Sequence, residues 1–190
     1  METFKRHLDK FIILAEEEYA SVLSFFRVLE VKKKETLLLE GEICTSMFFI
    51  VKGCLRKFFV NEKGVEQTTE FAIENWWITD TFAYERQIKS SFNIQSVEQS
   101  TVLLLDLHSQ EELLRKHPVM EHYFRMVYQR AYAAAERRIR YLYEMSREEL
   151  YIHFSEQYPG FIQRIPQYLI ASFLGFTPEY LSEIRAKLRS

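Results

Sequence analysis

The chain is sparing with the residues that staple and punctuate proteins. Of its 190 residues, two are cysteine, four proline and five glycine. Two cysteines, Cys44 and Cys54, exclude a disulfide framework and a four-cysteine cluster. They are expected to be reduced and half buried. No apolar run reaches the roughly 18 residues of a membrane span, so no membrane partner is expected. The opening METFKRHLDKFIILAEEEY has early acids and no cleavage site, which argues against a secretory signal. These absences together point to a cytoplasmic protein. Neither sign of charge prevails: 25 Lys and Arg stand against 27 Asp and Glu. Bulk charge therefore does not announce a nucleic-acid partner. There is no P-loop, dinucleotide fingerprint or nucleophile elbow, and the carboxylates fall in helical charge patterns, so no enzyme is expected. His7, His108, His117, His122 and His153 each lack a second ligand at metal spacing, so neither a metal site nor a cofactor is expected.

Aromatic residues are plentiful, with 16 Phe and 11 Tyr, enough for a sizeable core. Residues 3 to 27 show helical periodicity, with Phe4, Leu8, Phe11 and Ile12 on one face and Tyr19, Val22, Leu23 and Phe26 on another. Two short helices joined near Ala15 are predicted. From Thr36 the period shortens. Leu37 to Leu39, Met47 to Val51, Leu55 to Val60, Gln67 to Ala72, Phe92 to Val97 and Thr101 to Leu107 read as short strands. Gly41, Gly53 and Asn61 to Gly64 separate them, as in an antiparallel sandwich or barrel. Residues Asn75 to Ser91 interrupt this rhythm with Trp76, Trp77, Thr79, Asp80, Arg86 and Lys89. Such an irregular insertion in a β-barrel is a place for a ligand.

Past His108 the helical period returns. Ser109 and Glu112 form a capping box for a short helix ending near His117, and Pro118 opens a long one. Met120, Phe124, Val127, Ala131, Ala134, Arg138, Tyr141 and Met145 recur at steps of four and three, a heptad seam. A seam of this kind serves either packing against the barrel or dimerisation. Ala131, Ala134 and Ala135 would let a second helix approach closely and favour dimerisation. Arg138 must then snorkel or pair with a glutamate such as Glu136. Ser146 and Glu149 make a second capping box, and Tyr158-Pro159-Gly160 ends the helix it starts.

The segment Gln167 to Arg189 has the spacing of a helix-turn-helix. Ala171 is the small residue where two helices cross, and Gly175 four residues on suits the turn. Thr177, Pro178 and Glu179 then supply an N-cap, a first-turn proline and an acid at the positive helix end. After Met145, Arg147, Arg164, Arg185, Lys187 and Arg189 are cancelled by Glu148, Glu149, Glu156, Glu179 and Glu183, which weighs against tight phosphate binding.

Barrel, insertion, seam helix and helix-turn-helix follow in the order of the Crp/Fnr transcription regulators, which the chain resembles over nearly its full length. Gly41, Met47 to Gly53 and Gly64 carry the likeness in the barrel. Arg164 to Glu179 resembles the branch common in Bacteroidetes. The resemblance implies an α+β fold: an antiparallel jelly-roll barrel of the cyclic-nucleotide-binding type with flanking helices (1–117), a long dimerisation helix (118–145) and a helix-turn-helix domain (146–190). It further implies a homodimer on a palindromic operator in double-stranded DNA. The implied dimer contacts are Phe124, Val127, Ala131, Ala134, Arg138 and Tyr141. DNA contacts would come from Gln167, Thr177, Glu179, Tyr180, Ser182, Arg185, Lys187 and Arg189. An effector pocket would be built from Trp76, Trp77, Thr79, Asp80, Arg86, Lys89, Ser90 and Ser91.

The chain departs from the family pattern twice. Thr79, Asp80 and Ser91 fall where nucleotide-binding members carry a glycine, a glutamate and the phosphate-binding arginine. Without that guanidinium a cyclic phosphate loses its best-matched partner, so cyclic AMP and cyclic GMP are not expected. A different small effector, or none, is. In the recognition helix, Pro178 and Glu183 replace base-reading arginines and only Glu179 fits, which implies an altered operator or weak binding. The alternative is a dimeric ligand-binding or interaction module that no longer reads DNA sequence.

Overall fold

The computed structural model describes residues 1–188, so Arg189 lies outside the described residues. Two antiparallel four-stranded sheets form the N-terminal part. The first runs β1 (Arg27–Val31), β8 (Ser100–Asp106), β3 (Ser46–Lys52), β6 (Trp77–Ile78); the second runs β2 (Thr36–Leu38), β7 (Asn93–Ser96), β4 (Leu55–Val60), β5 (Glu66–Ala72). This is a jelly-roll-like sandwich. β3 pairs with β8 through Phe48 opposite Leu104 and Phe49 opposite Leu103. Its Met47 to Ile50 are all buried rather than alternating, because both faces of this sheet are covered. Phe49 shows one cover. Its ring meets Phe4 of helix α1 (Glu2–Leu8) at 4.8 Å and Trp77 at 5.4 Å. Phe48 and Ile50 point oppositely, toward a core that also holds Leu38, Leu55 and Ile94 of the second sheet.

Helix α2 (Glu16–Leu23) is N-capped at Ala15, where Glu18 accepts from the Ala15 N–H at 2.9 Å. Between β6 and β7 lies α3 (Thr81–Arg86). Helix α4 (Leu107–Lys116) begins two residues before the predicted box: Asp106 accepts from the Ser109 N–H at 2.8 Å and is the cap. Asp106 closes β8 and opens the helix, and an aspartate outcompetes the expected Ser109 by sitting at the first non-helical residue. Helix α5 (Val119–Glu144) follows Pro118.

The chain divides into two compact units. One comprises Met1–Phe59 and Thr69–Tyr128; the other comprises Val60–Thr68 and the chain from Gln129 onward. The tip of the β4–β5 hairpin thus belongs to the second unit, and α5 contributes to both. Asn61 shapes that tip by accepting from Lys63 and Val65 N–H groups, each at 3.0 Å. In the second unit, α6 (Arg147–Gln157) carries the expected capping box. Ser146 accepts from the Glu149 N–H at 3.3 Å, and Glu149 accepts from the Ser146 N–H at 2.8 Å. The Pro159 break is followed at once by a short helix α7 (Pro159–Arg164), since proline suits a first turn. Helices α8 (Gln167–Leu174) and α9 (Pro178–Lys187) pack on Ile170, Ala171, Leu174, Leu181 and Ile184. Gly175 takes φ 76° between them, and Thr177 Oγ1 accepts from the Tyr180 N–H at 3.2 Å. Among the described residues, no helix is long and apolar enough to cross a membrane.

Candidate functional site

The insertion organises itself around Asp80. This carboxylate is 5% exposed and caps α3, with Oδ1 accepting from the Ala83 N–H at 3.2 Å. Its Oδ2 lies 2.9 Å from the Ser90 hydroxyl and 3.3 Å from the Ser91 N–H. Ser90 Oγ also accepts from the Phe92 N–H at 3.0 Å, which closes the loop on itself. A buried carboxylate requires such donors, and here the chain's own loop supplies them. Thr79 donates to the Ser46 carbonyl at 3.0 Å and lies 3.4 Å from Cys44 Sγ. Both cysteines are fully buried, more deeply than the expected half burial. Gln87, the residue after α3, sits at φ 51°, and its side-chain amide donates to the carbonyls of Cys44 at 3.1 Å and Tyr84 at 2.7 Å. A non-glycine residue held in this region marks a segment over-determined by its surroundings.

Thr79, Asp80, Ser90 and Ser91 are therefore brought together. The other four expected pocket residues are not. Trp77 packs against the core, donating from Nε1 to the Tyr123 hydroxyl at 2.7 Å. Trp76 is partly exposed, Lys89 is exposed, and Arg86 lies over the Phe82 ring at 4.6 Å on the outer surface of α3. The cation beside the loop is one that sequence reasoning passed over. Lys57 of β4 shares a strand face with the core residue Leu55. Its ammonium donates to the Thr79 carbonyl at 3.0 Å, pairs with Glu70 at 2.6 Å and lies 5.6 Å from the Phe92 ring. A lysine alternating with apolar neighbours in a strand was the available signal.

The seam residues have partners inside the chain at both ends. Phe124 is buried, with its ring 5.6 Å from Trp77, and Val127 packs against the same core. Arg138 donates to the Phe173 carbonyl at 2.8 Å, and Tyr141 lies against His153 at 4.5 Å. Ala131 and Ala134 are exposed. Four of the exposed large residues of α5, Tyr128, Tyr132, Ile139 and Leu142, form the adjoining stripe, while Val119 and Tyr143 lie off it.

On the C-terminal helix pair, Glu179, Ser182, Glu183 and Lys187 are exposed on α9. The other expected DNA contacts among the described residues lie against this chain's own backbone or side chains. Thr177 is the helix cap, and Tyr180 packs on Phe176 at 5.7 Å with Arg147 5.5 Å from its ring. Gln167 is directed to the Ile162 carbonyl at 3.4 Å. Arg185 is half buried beside Tyr151, Ile152 and Ile162.

Residues 28–117 match the family model of the cyclic nucleotide-binding domain. The chain is similar in structure to FixK2 of Bradyrhizobium japonicum, with a TM-score of 0.72 at 16% identity over 86% of this chain and 84% of that one. The c-di-GMP responsive global regulator CLP of Xanthomonas campestris gives 0.69 at 10% identity over 92% of each chain. The catabolite activator protein of Thermus thermophilus gives 0.58 at 19% identity over 93% and 84%. No curated protein matches. Residues 28–117 accordingly resemble the cyclic nucleotide-binding domain, within a chain whose fold is similar to that of these three proteins.

Proposed function

We propose that the protein is a cytoplasmic, homodimeric DNA-binding transcription regulator of the Crp/Fnr type. In this reading residues 1–117 sense a small effector, 118–145 dimerise and 146–190 bind an operator. The observation that carries the reading is the α8–α9 pair: a glycine-hinged turn, a capped second helix and an outward face on that helix. Such a helix enters a major groove, and a dimer places two of them about 34 Å apart on a palindrome. Glu179 and Ser182 are the base-reading candidates, since glutamate accepts from cytosine N4 and serine serves either sense. Lys187 is a phosphate contact. The Asp80 loop, closed on Ser90 and Ser91, offers no guanidinium to a cyclic phosphate, so the effector differs from cyclic AMP and cyclic GMP.

Dimerisation is proposed along Tyr128, Tyr132, Ala135, Ile139 and Leu142. These residues step by four and three, as a heptad requires, and expose apolar side chains. Selection of bound duplexes from random DNA tests the regulator reading and should return a palindrome. Binding should weaken with salt, and Lys187→Ala should lower the log–log slope by about one per half-site. The second reading, a dimeric module without sequence preference, is favoured by the acids Glu179 and Glu183 exposed on α9. A selection that returns no preferred sequence would establish it in place of the first.

A further inference from the structure

β5 is the outermost strand of its sheet, so among the described residues one side of its backbone has no neighbouring strand. A single hydroxyl from α8 occupies part of that vacancy. Ser172 Oγ accepts from the Thr68 N–H at 2.8 Å and donates to the Glu66 carbonyl at 2.8 Å, with Thr68 Oγ1 at 3.2 Å. One strand-edge donor and one strand-edge acceptor are met by one side chain. The next residue is held separately. The Phe173 carbonyl lies in the last turn of α8, where carbonyls lack intrahelical partners. Arg138 of α5 donates to it at 2.8 Å and lies 3.9 Å over the Phe173 ring. Two adjacent residues thus tie α8 to a sheet edge and to the long helix.

The same strand reaches the Asp80 loop. Glu70 stands two residues beyond Thr68, about 7 Å along the strand. It pairs with Lys57, whose ammonium is bonded to the Thr79 carbonyl. A strand is stiff along its axis, while both anchors are polar contacts that exchange with water at little net cost. Such contacts open locally without melting a core.

We propose that β5 is a transmission strand: the Lys57–Glu70 pair beside the Asp80 loop sets how firmly the Ser172 clasp holds α8. The inference rests on the regulator reading only for its purpose, because α8 is the first helix of the proposed DNA-binding pair. The link itself runs through one chain and needs no DNA.

Amide hydrogen exchange on the full chain, without DNA, tests it. Ser172→Ala should speed exchange of the Thr68 amide and of α8 by about tenfold, the scale of one lost hydrogen bond. Amides of β3 and β8 should stay protected, which shows that the core is intact. Glu70→Gln should also speed exchange in α8, although its ion pair is with Lys57. Ser172→Thr, which keeps the hydroxyl, should retain protection that the isosteric Ser172→Val loses, and this pair decides the matter if the alanine variant does not fold. Unchanged Thr68 and α8 protection in Ser172→Val, or a Glu70→Gln effect confined to β4 and β5, would overturn the proposal. No duplex enters this measurement, so its failure is separable from failure of the DNA selection.

Discussion

At the scale of single residues, the Trp77–Tyr123 hydrogen bond ties two elements through side chains alone. Its 2.7 Å contact lies in a ring cluster with Phe4 and Phe124, where water cannot replace a lost partner. Tyr123→Phe keeps the ring and strands the indole N–H. Chemical denaturation should show a loss of about 1–3 kcal/mol, the cost of an unmet buried donor. Burial also pushes the Tyr123 and Tyr84 phenols well above the ordinary tyrosine value. Unfolded, both would ionise at about pH 10. A raised folded value means that the folded state binds these protons more tightly. Their contribution to stability is therefore complete below about pH 10 and drains away as pH rises further. Denaturation midpoints should fall above pH 10, and the two phenolates should appear in ultraviolet absorbance only together with unfolding. Ordinary titration of both rings in the folded protein would contradict this.

At the scale of elements, two glycines separate backbone strain from crowding. Gly175 has φ +76° with open space where a Cβ would stand, whereas Gly53 has φ +109° and its Cβ would collide with Ser100. Gly175→Ala should cost about 1–2 kcal/mol, the penalty of a left-handed L-residue. Gly53→Ala should cost more, and thermal unfolding of the two variants ranks them. Equal losses would mean that β8 yields freely at Ser100. The same contrast explains what could be read from the chain. Gly175, Thr177 and the Ser146–Glu149 box act within four residues, so their roles are written locally. β1 was passed over because Arg27 and Glu30 interrupt its apolar pattern while Val31 alone is buried. The α5 seam was legible as a period but not as a destination. A heptad stripe is the same string whether Phe124 meets Trp77 or a second chain, and only the fold tells them apart. Lys57 was missed for a related reason: Thr79 and Glu70 reach it from 22 and 13 residues away, beyond any local rule.

At the scale of the whole molecule, the open question of partners comes down to α5. It is 26 residues long, about 39 Å at 1.5 Å per residue. Tyr132, Ile139 and Leu142 are 67%, 56% and 52% exposed, although each side chain is large and apolar. Scattered singly they would need no explanation, but they fall on one heptad stripe with Ala135, where a second backbone can come near. Burying one such side chain gains on the order of 1.5–3 kcal/mol, so a glutamate in its place should split a modest interface. Ile139→Glu should sediment as a monomer at concentrations where the parent chain is a dimer. Its circular dichroism should be unchanged, because Ile139 is not part of the described core. Loss of the dimer should also cost avidity, roughly a hundredfold or more on a palindromic duplex, since two half-sites then bind independently. A variant that stays dimeric would move the interface off this stripe. One that becomes monomeric with undiminished duplex affinity would separate dimerisation from DNA binding and favour the module that does not read sequence.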